Sequence, residues 1–153
     1  MELERASPPA AHWSEEQYRQ AVQPGSRDPD RLVLVAEGSP PAAGEDRDRG
    51  PGLAILGFLV ARQIAPEWEL ENIVVAPAAR RKGLGRQLLE ALFAAARQTE
   101  SQSLFLEVRE SNTAARRLYE RLGFEQTGRR KAYYASPAED AILYRRRPIY
   151  PIS

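Results

Sequence analysis

One segment constrains the fold more than any other: Ile73-Val74-Val75-Ala76-Pro77-Ala78-Ala79-Arg80-Arg81-Lys82-Gly83-Leu84-Gly85-Arg86. A β-rich run passes through a short loop and two glycines into a stretch where Leu84, Leu88, Leu89, Leu92, Phe93 and Ala96 recur at helical spacing. A strand that feeds an amphipathic helix suits a sheet with helices packed on it. The same turn is an anion site in the making. The first N–H groups of a helix lack intrahelical partners and carry the positive end of its dipole. Gly83 and Gly85 let a ligand approach the backbone closely, and Arg80, Arg81, Lys82 and Arg86 surround it. A pyrophosphate is the natural guest. Glycine spacing alone leaves a second reading equally open, in which the glycines merely start a helix and the cations are solvated. The segment lacks the Gly-Lys-Ser/Thr ending of a Walker loop, and Leu88 stands where a dinucleotide fingerprint needs a third glycine.

Spacing elsewhere predicts the remaining elements. Ser14 with Gln17 forms a capping-box pattern before a helix over about 14–23. Strands are expected at 31–36, 53–62, 67–75 and 103–109. A helix over 112–122 ends at Gly123. Strands 124–135 and 139–146 flank a Ser136-Pro137 turn. The order α-β-β-β-α-β-α-β-β implies an α/β fold with a mixed sheet. Residues 38–52 are Gly/Pro-rich and polar, and read as a long flexible loop inside one domain spanning 1–153.

Composition excludes several chemistries. The chain has no Cys and a single His, His12. Disulfide scaffolds, thiolate metal sites, Cys nucleophiles and multi-imidazole metal sites are therefore out. A formal charge of +1 argues against a dedicated nucleic-acid binder. The longest apolar run, Leu53 to Ala61, is nine residues, too short to span a bilayer. With no signal sequence visible, a cytoplasmic protein is expected. Carboxylates, Tyr, backbone amides and a bound cofactor remain as the means of catalysis.

Arg80-Arg81-Lys82-Gly83-Leu84-Gly85 resembles the Arg/Gln-x-x-Gly-x-Gly/Ala signature of the GCN5-related N-acetyltransferases. Leu106-Glu107-Val108-Arg109-Glu110-Ser111-Asn112-Thr113-Ala114-Ala115, Leu118-Tyr119-Glu120-Arg121-Leu122-Gly123-Phe124 and Arg129-Arg130-Lys131-Ala132-Tyr133-Tyr134 are similar to the bacterial ribosomal-protein-alanine branch of that family, as is Trp13-Ser14-Glu15-Glu16. The resemblance covers roughly residues 4–22, 31–36 and 53–144. It implies a six- to seven-stranded sheet flanked by helices. Family members begin with a strand and a longer helix, so the first strand is expected to be missing here.

The resemblance also implies roles. Acetyl-coenzyme A would lie on the amides of the loop over Arg80 to Arg86, with Asn112 contacting it. Asn112 reads equally as a helix N-cap. Backbone groups of Ile73, Val74 and Val75 would bind the pantetheine arm and acetyl carbonyl, which requires a bulge or splay in the ladder nearby. The Val75 N–H is the first candidate oxyanion donor. Glu107 would be the general base, although a carboxylate opposite Leu104, Leu106 and Val108 also reads as a solvent-facing strand residue. Tyr119, twelve residues on, would be the general acid, where the plain reading is a packing aromatic. Tyr133 and Tyr134 would wall the peptide side, with Glu69 and Leu70 opposite. No metal is implied. The expected acceptor is the N-terminal Ala of a small-subunit ribosomal protein, and the expected state a monomer or weak dimer. Other readings are a small-amine or lysine acetyltransferase, and a coenzyme A-binding module without turnover. The Arg145-Arg146-Arg147 run reads as a solvated basic tail, or as a weak contact with ribosomal RNA.

Overall fold

The computed structural model describes residues 29–38 and 54–147. The expected helix at 14–23, the first-strand question, and all of loop 38–52 except Gly38 lie outside these residues. Six strands form one sheet: β1 (Arg31–Gly38), β2 (Ala54–Ile64), β3 (Glu67–Val75), β4 (Ser103–Arg109), β5 (Glu125–Ala135) and β6 (Ala138–Arg146). Their order is β1-β2-β3-β4-β6-β5. Every neighbouring pair is antiparallel except β3 and β4. Parallel neighbours need a crossover, and helix α1 (Leu84–Gln98) supplies it; helix α2 (Thr113–Arg121) follows β4.

One face of the sheet forms the core. Leu59, Ala61, Trp68, Leu70, Leu104, Leu106, Val108, Ile142 and Tyr144 pack with Leu88, Leu89, Leu92, Phe93 and Ala96 of α1 and Tyr119 of α2. The apolar stripe that the sequence shows on α1 is therefore the stripe that is buried. The second face carries the residues between these, among them Glu69, Phe105, Glu107 and Arg109. The alternation on β4 is what puts Glu107 opposite the core.

Two irregularities shape the middle of the sheet. Between β2 and β3 the register shifts, so that Val60 pairs with Asn72 and Ala61 with Leu70, leaving Glu71 as an extra residue on β3. Between β3 and β4 the pairing runs only from Glu67↔Ser103 to Leu70↔Leu106. Beyond that point the strands part. The disruption expected near Ile73 is thus real, as a bulge at Glu71 together with a splay.

The arginines near the end of β6 are not a tail. Arg145 and Arg146 lie within the strand. Arg146 donates from Nε to the Leu122 carbonyl at 2.7 Å and stacks on Phe93, closing the C-terminus of α2. Arg145 pairs with Glu67, which also accepts from the Ser103 hydroxyl at 2.8 Å. Arg147 reaches the same carboxylate at 3.6 Å. A run of like charges on a strand alternates between faces, so each face finds its own partners.

Candidate active site

Where β3 and β4 part, a cleft opens. It is lined by Leu70, Glu71, Asn72, Ile73, Leu106, Glu107, Val108, Arg109, Asn112, Tyr119 and Tyr134. Ile73, Glu107, Asn112, Tyr119 and Tyr134, each expected at the site from the family resemblance, meet there. Leu70 lines the cleft from its buried side. Glu69 is not among the lining residues; it lies one strand over, pointing with Phe105 and Glu107 from the second face. Burial, and then the charges of Glu71 and Glu107, raise its pKa above the usual carboxylate value.

The loop from β3 to α1 has the form of an anion cradle. A 3-10 turn at Pro77–Ala79 leads to Arg81, whose φ is 64°, and to Gly83 at 77°, the N-cap of α1. Two left-handed residues so close together cost free energy, most at the non-glycine one. No side chain caps the helix, so the N–H groups of its first turn have no partner within it. Open space surrounds the position a Cβ would take on Gly83. Gly85 also has a packing role. A Cβ there would lie 3.2 Å from Leu118 Cδ2, so this glycine lets α1 approach α2. Arg81 and Lys82 are exposed. Arg80 donates from Nε to the Val75 carbonyl at 3.1 Å, and Arg86 pairs with Glu90 at 2.9 Å. Arg80 thus fastens the loop to the end of β3.

Asn112 is the N-cap of α2, its Oδ1 accepting from the Ala115 N–H at 3.2 Å. It also lines the cleft, so the two readings of this residue are compatible. Tyr119, from the following turns of α2, is buried against Phe124 and Tyr144. Its hydroxyl has no hydrogen-bond partner among the described residues. Burial, and then the neighbouring Tyr134, push its pKa well above the ordinary phenol value.

The far wall comes from the β5–β6 hairpin. Tyr134 is half-buried, its pKa pushed up to about 12 by burial and by the charge of Glu107. Tyr133 is exposed, and the charge of Glu107 raises its pKa. The rings of the two tyrosines meet edge to face at 5.1 Å. Three further residues were not singled out in the sequence. Arg109 is 6% exposed; its guanidinium lies 4.1 Å from the centre of the Tyr134 ring and 3.3 Å from both Glu139 and the Pro137 carbonyl. Arg130 pairs with Glu107 at 3.2 Å. Asp140 accepts from the Ala132 N–H and from Arg129, each at 2.9 Å. Arg109 and Arg130 lie inside motifs already quoted, but only tertiary contacts show what they touch.

Among the described residues, no cluster of His, Cys, Asp and Glu could hold a metal, and no helix is long and apolar enough to cross a membrane. Comparison with known proteins gives a consistent picture. The [Ribosomal protein bS18]-alanine N-acetyltransferase of Haemophilus influenzae is 40% identical over 92 residues, which is 58% of this chain and 62% of that protein. The chain thus spans less than two thirds of this relative's length. The crystal structure of the ribosomal-protein-S18-alanine N-acetyltransferase from Escherichia coli superposes with a TM-score of 0.73 at 30% identity, covering 99% of this chain and 86% of that one. A protein of the streptothricin acetyltransferase type from Bacillus anthracis, solved in complex with acetyl coenzyme A, gives a TM-score of 0.56 at 27% identity, over 61% of this chain and 56% of that one. The acetyltransferase (GNAT) family model matches residues 1–124; with the mixed sheet, the parted strands and the uncapped helix that follows them, this chain belongs to that family.

Proposed function

We propose that the chain is an acetyl-coenzyme A-dependent N-acetyltransferase acting on the α-amine of an N-terminal Ala, on a small-subunit ribosomal protein. The observation that carries this reading is the meeting of Glu107 and Tyr119 in one cleft at the open end of β3. The residues fit the coenzyme. The pyrophosphate has the uncapped first turn of α1 and the cations around it, and the pantetheine arm has the stretch of β3 beyond Leu70, where the strand has parted from β4. Among the relatives, one binds acetyl coenzyme A and two are named for bS18 alanine.

The chemistry is a direct transfer. An α-ammonium has a pKa near about 8, so it must lose a proton before attack. Glu107 takes that proton, directly or through water. The amine nitrogen then bonds to the thioester carbonyl carbon, whose oxygen takes up the displaced electron pair. When the tetrahedral centre collapses the C–S bond breaks, the thiolate takes a proton from Tyr119, and the nitrogen gives up its second proton, which restores the Tyr119 hydroxyl directly or through water. Burial keeps that hydroxyl protonated at neutral pH and makes a free tyrosinate costly, so donation and return of the proton are coupled. The absence of Cys removes the usual acyl-enzyme nucleophile.

The test is thiol release from acetyl-coenzyme A with a peptide beginning Ala-Arg, run beside polyamines, aminoglycosides and internal lysines. The Ala peptide should be the preferred acceptor. Preference for a small amine would favour the second reading, which the streptothricin-type neighbour supports. Glu107→Gln and Tyr119→Phe should each lower kcat by about 10²- to 10⁴-fold, with acetyl-coenzyme A affinity nearly unchanged. Full rates in both variants would remove these roles.

A further inference from the structure

The proposed base already has a cation on it. Arg130 Nε lies 3.2 Å from Glu107 Oε1, and the Arg130 guanidinium lies 5.6 Å from the centre of the Tyr133 ring. The three side chains close on one another at the edge of the cleft. A regular strand could not arrange this, because residues three apart point to opposite faces. The register shows how it is done. Arg130 pairs with Ala141 and Tyr134 with Glu139, so three residues on β5 face one on β6. The bulge turns at Ala132, whose φ is 51°, and Asp140 holds the Ala132 N–H there at 2.9 Å. A non-glycine residue held in the left-handed region by a specific carboxylate marks a built feature. The pair itself stays within reach of solvent, the Arg130 side chain being 56% exposed and that of Glu107 20%.

We propose that Arg130 is a displaceable counter-ion on Glu107, occupying in the acceptor-free protein the place that the acceptor's amine takes, and so acting as a positioning residue. This inference rests on the reading of Glu107 given above. An entering amine must move Arg130 aside, and any small cation of guanidinium or primary-amine type competes for the same carboxylate. The ion pair is within reach of solvent, so an entering cation can exchange with Arg130 without opening a sealed site.

The experiment has two arms. Arg130→Met keeps an unbranched chain along Tyr133 but removes the charge, Arg130→Lys keeps the charge, and Arg130→Gln serves if the Met variant folds poorly. In the first arm methylguanidine is titrated and followed by nuclear magnetic resonance, without any turnover. Saturable binding to Arg130→Met, with none to the parent or to the Arg130→Met/Glu107→Gln double variant, supports the proposal. Equal behaviour of the parent and Arg130→Met overturns it. In the second arm an Ala-Arg peptide is bound to coenzyme A-loaded protein. Its dissociation constant and KM should fall about 3- to 10-fold in Arg130→Met and stay near the parent's in Arg130→Lys, with the KM for acetyl-coenzyme A unmoved. An unchanged or weakened peptide affinity in Arg130→Met overturns the proposal. Absence of turnover in the parent would speak against the proposed function alone, because the methylguanidine arm decides this inference without it.

Discussion

The two sides of the cleft are built in different ways. The side proposed for the coenzyme is one continuous stretch, from Ile73 to Arg86, which ends in an uncapped helix start and in which two residues turn through the left-handed region. The acceptor side is assembled from β4, α2 and the β5–β6 hairpin. Its side chains are held by contacts between residues 23 to 30 positions apart, such as Arg130 on Glu107 and Arg109 on Glu139. A site made of backbone depends on local conformation and tolerates change in the side chains around it. A site made of side chains depends on every neighbour that holds each one in place. The first suits a cosubstrate common to a family, and the second allows the acceptor to differ between members.

Three substitutions would break or sharpen this contrast. The largest effect is expected for Arg109→Met, which removes a buried cation from Glu139 and from the Tyr134 ring. Losing this pair should lower the unfolding midpoint, read from denaturant unfolding. The acceptor KM should rise about tenfold while coenzyme A binding, followed by titration, stays level. A loss of coenzyme A binding in the folded variant would show that the two sides are not independent.

A smaller effect is expected at the loop. Gly83→Ala places a Cβ in open space but at a φ of 77°, a strain of about 1–2 kcal/mol. The KM for acetyl-coenzyme A should rise and that for the acceptor should not. If both rise together, the loop and the acceptor wall share more structure than their construction indicates.

The smallest concerns Glu69, which lies outside the cleft lining. Burial and its two acidic neighbours raise its pKa in the folded protein. A raised carboxylate binds its proton more tightly when folded, so its contribution favours the fold at acid pH and is lost as pH rises through the folded value. Glu69→Gln should therefore stabilise the protein at neutral pH by about 0.5 kcal/mol, and the gain should vanish in acid. A Glu69→Gln variant that binds the acceptor peptide several-fold more weakly would return this residue to the substrate side, where the sequence had placed it.

Much of this architecture is legible in the order of residues alone. Strands β3 and β4 have the boundaries that their patterns predict, and the remaining described strands and helices differ by one or two residues at their ends. Local physics decides these cases. Alternation marks a half-buried strand, a 3.6-residue period marks a packed helix, and Gly123 at a φ of 89° ends α2 as a C′ glycine does. Less legible is what a residue does when its neighbours come from elsewhere. Gly85 reads as a glycine for a ligand, and only the structure shows that it also lies against Leu118. Arg145 and Arg146 read as a tail, but β6 carries them to Glu67 and Leu122.

The sequence by itself determined the order and periods of the elements and the glycine-bearing turn before α1. Glu107 and Tyr119 became candidates as base and acid only through the resemblance to a family. Only the tertiary structure decided that β3 and β4 part after Leu70 and Leu106, and that a two-residue bulge in β5 brings Arg130 to the Glu107 carboxylate and to the Tyr133 ring. Strand register and side-chain partners arise between segments far apart in the chain, and no local pattern carries that information.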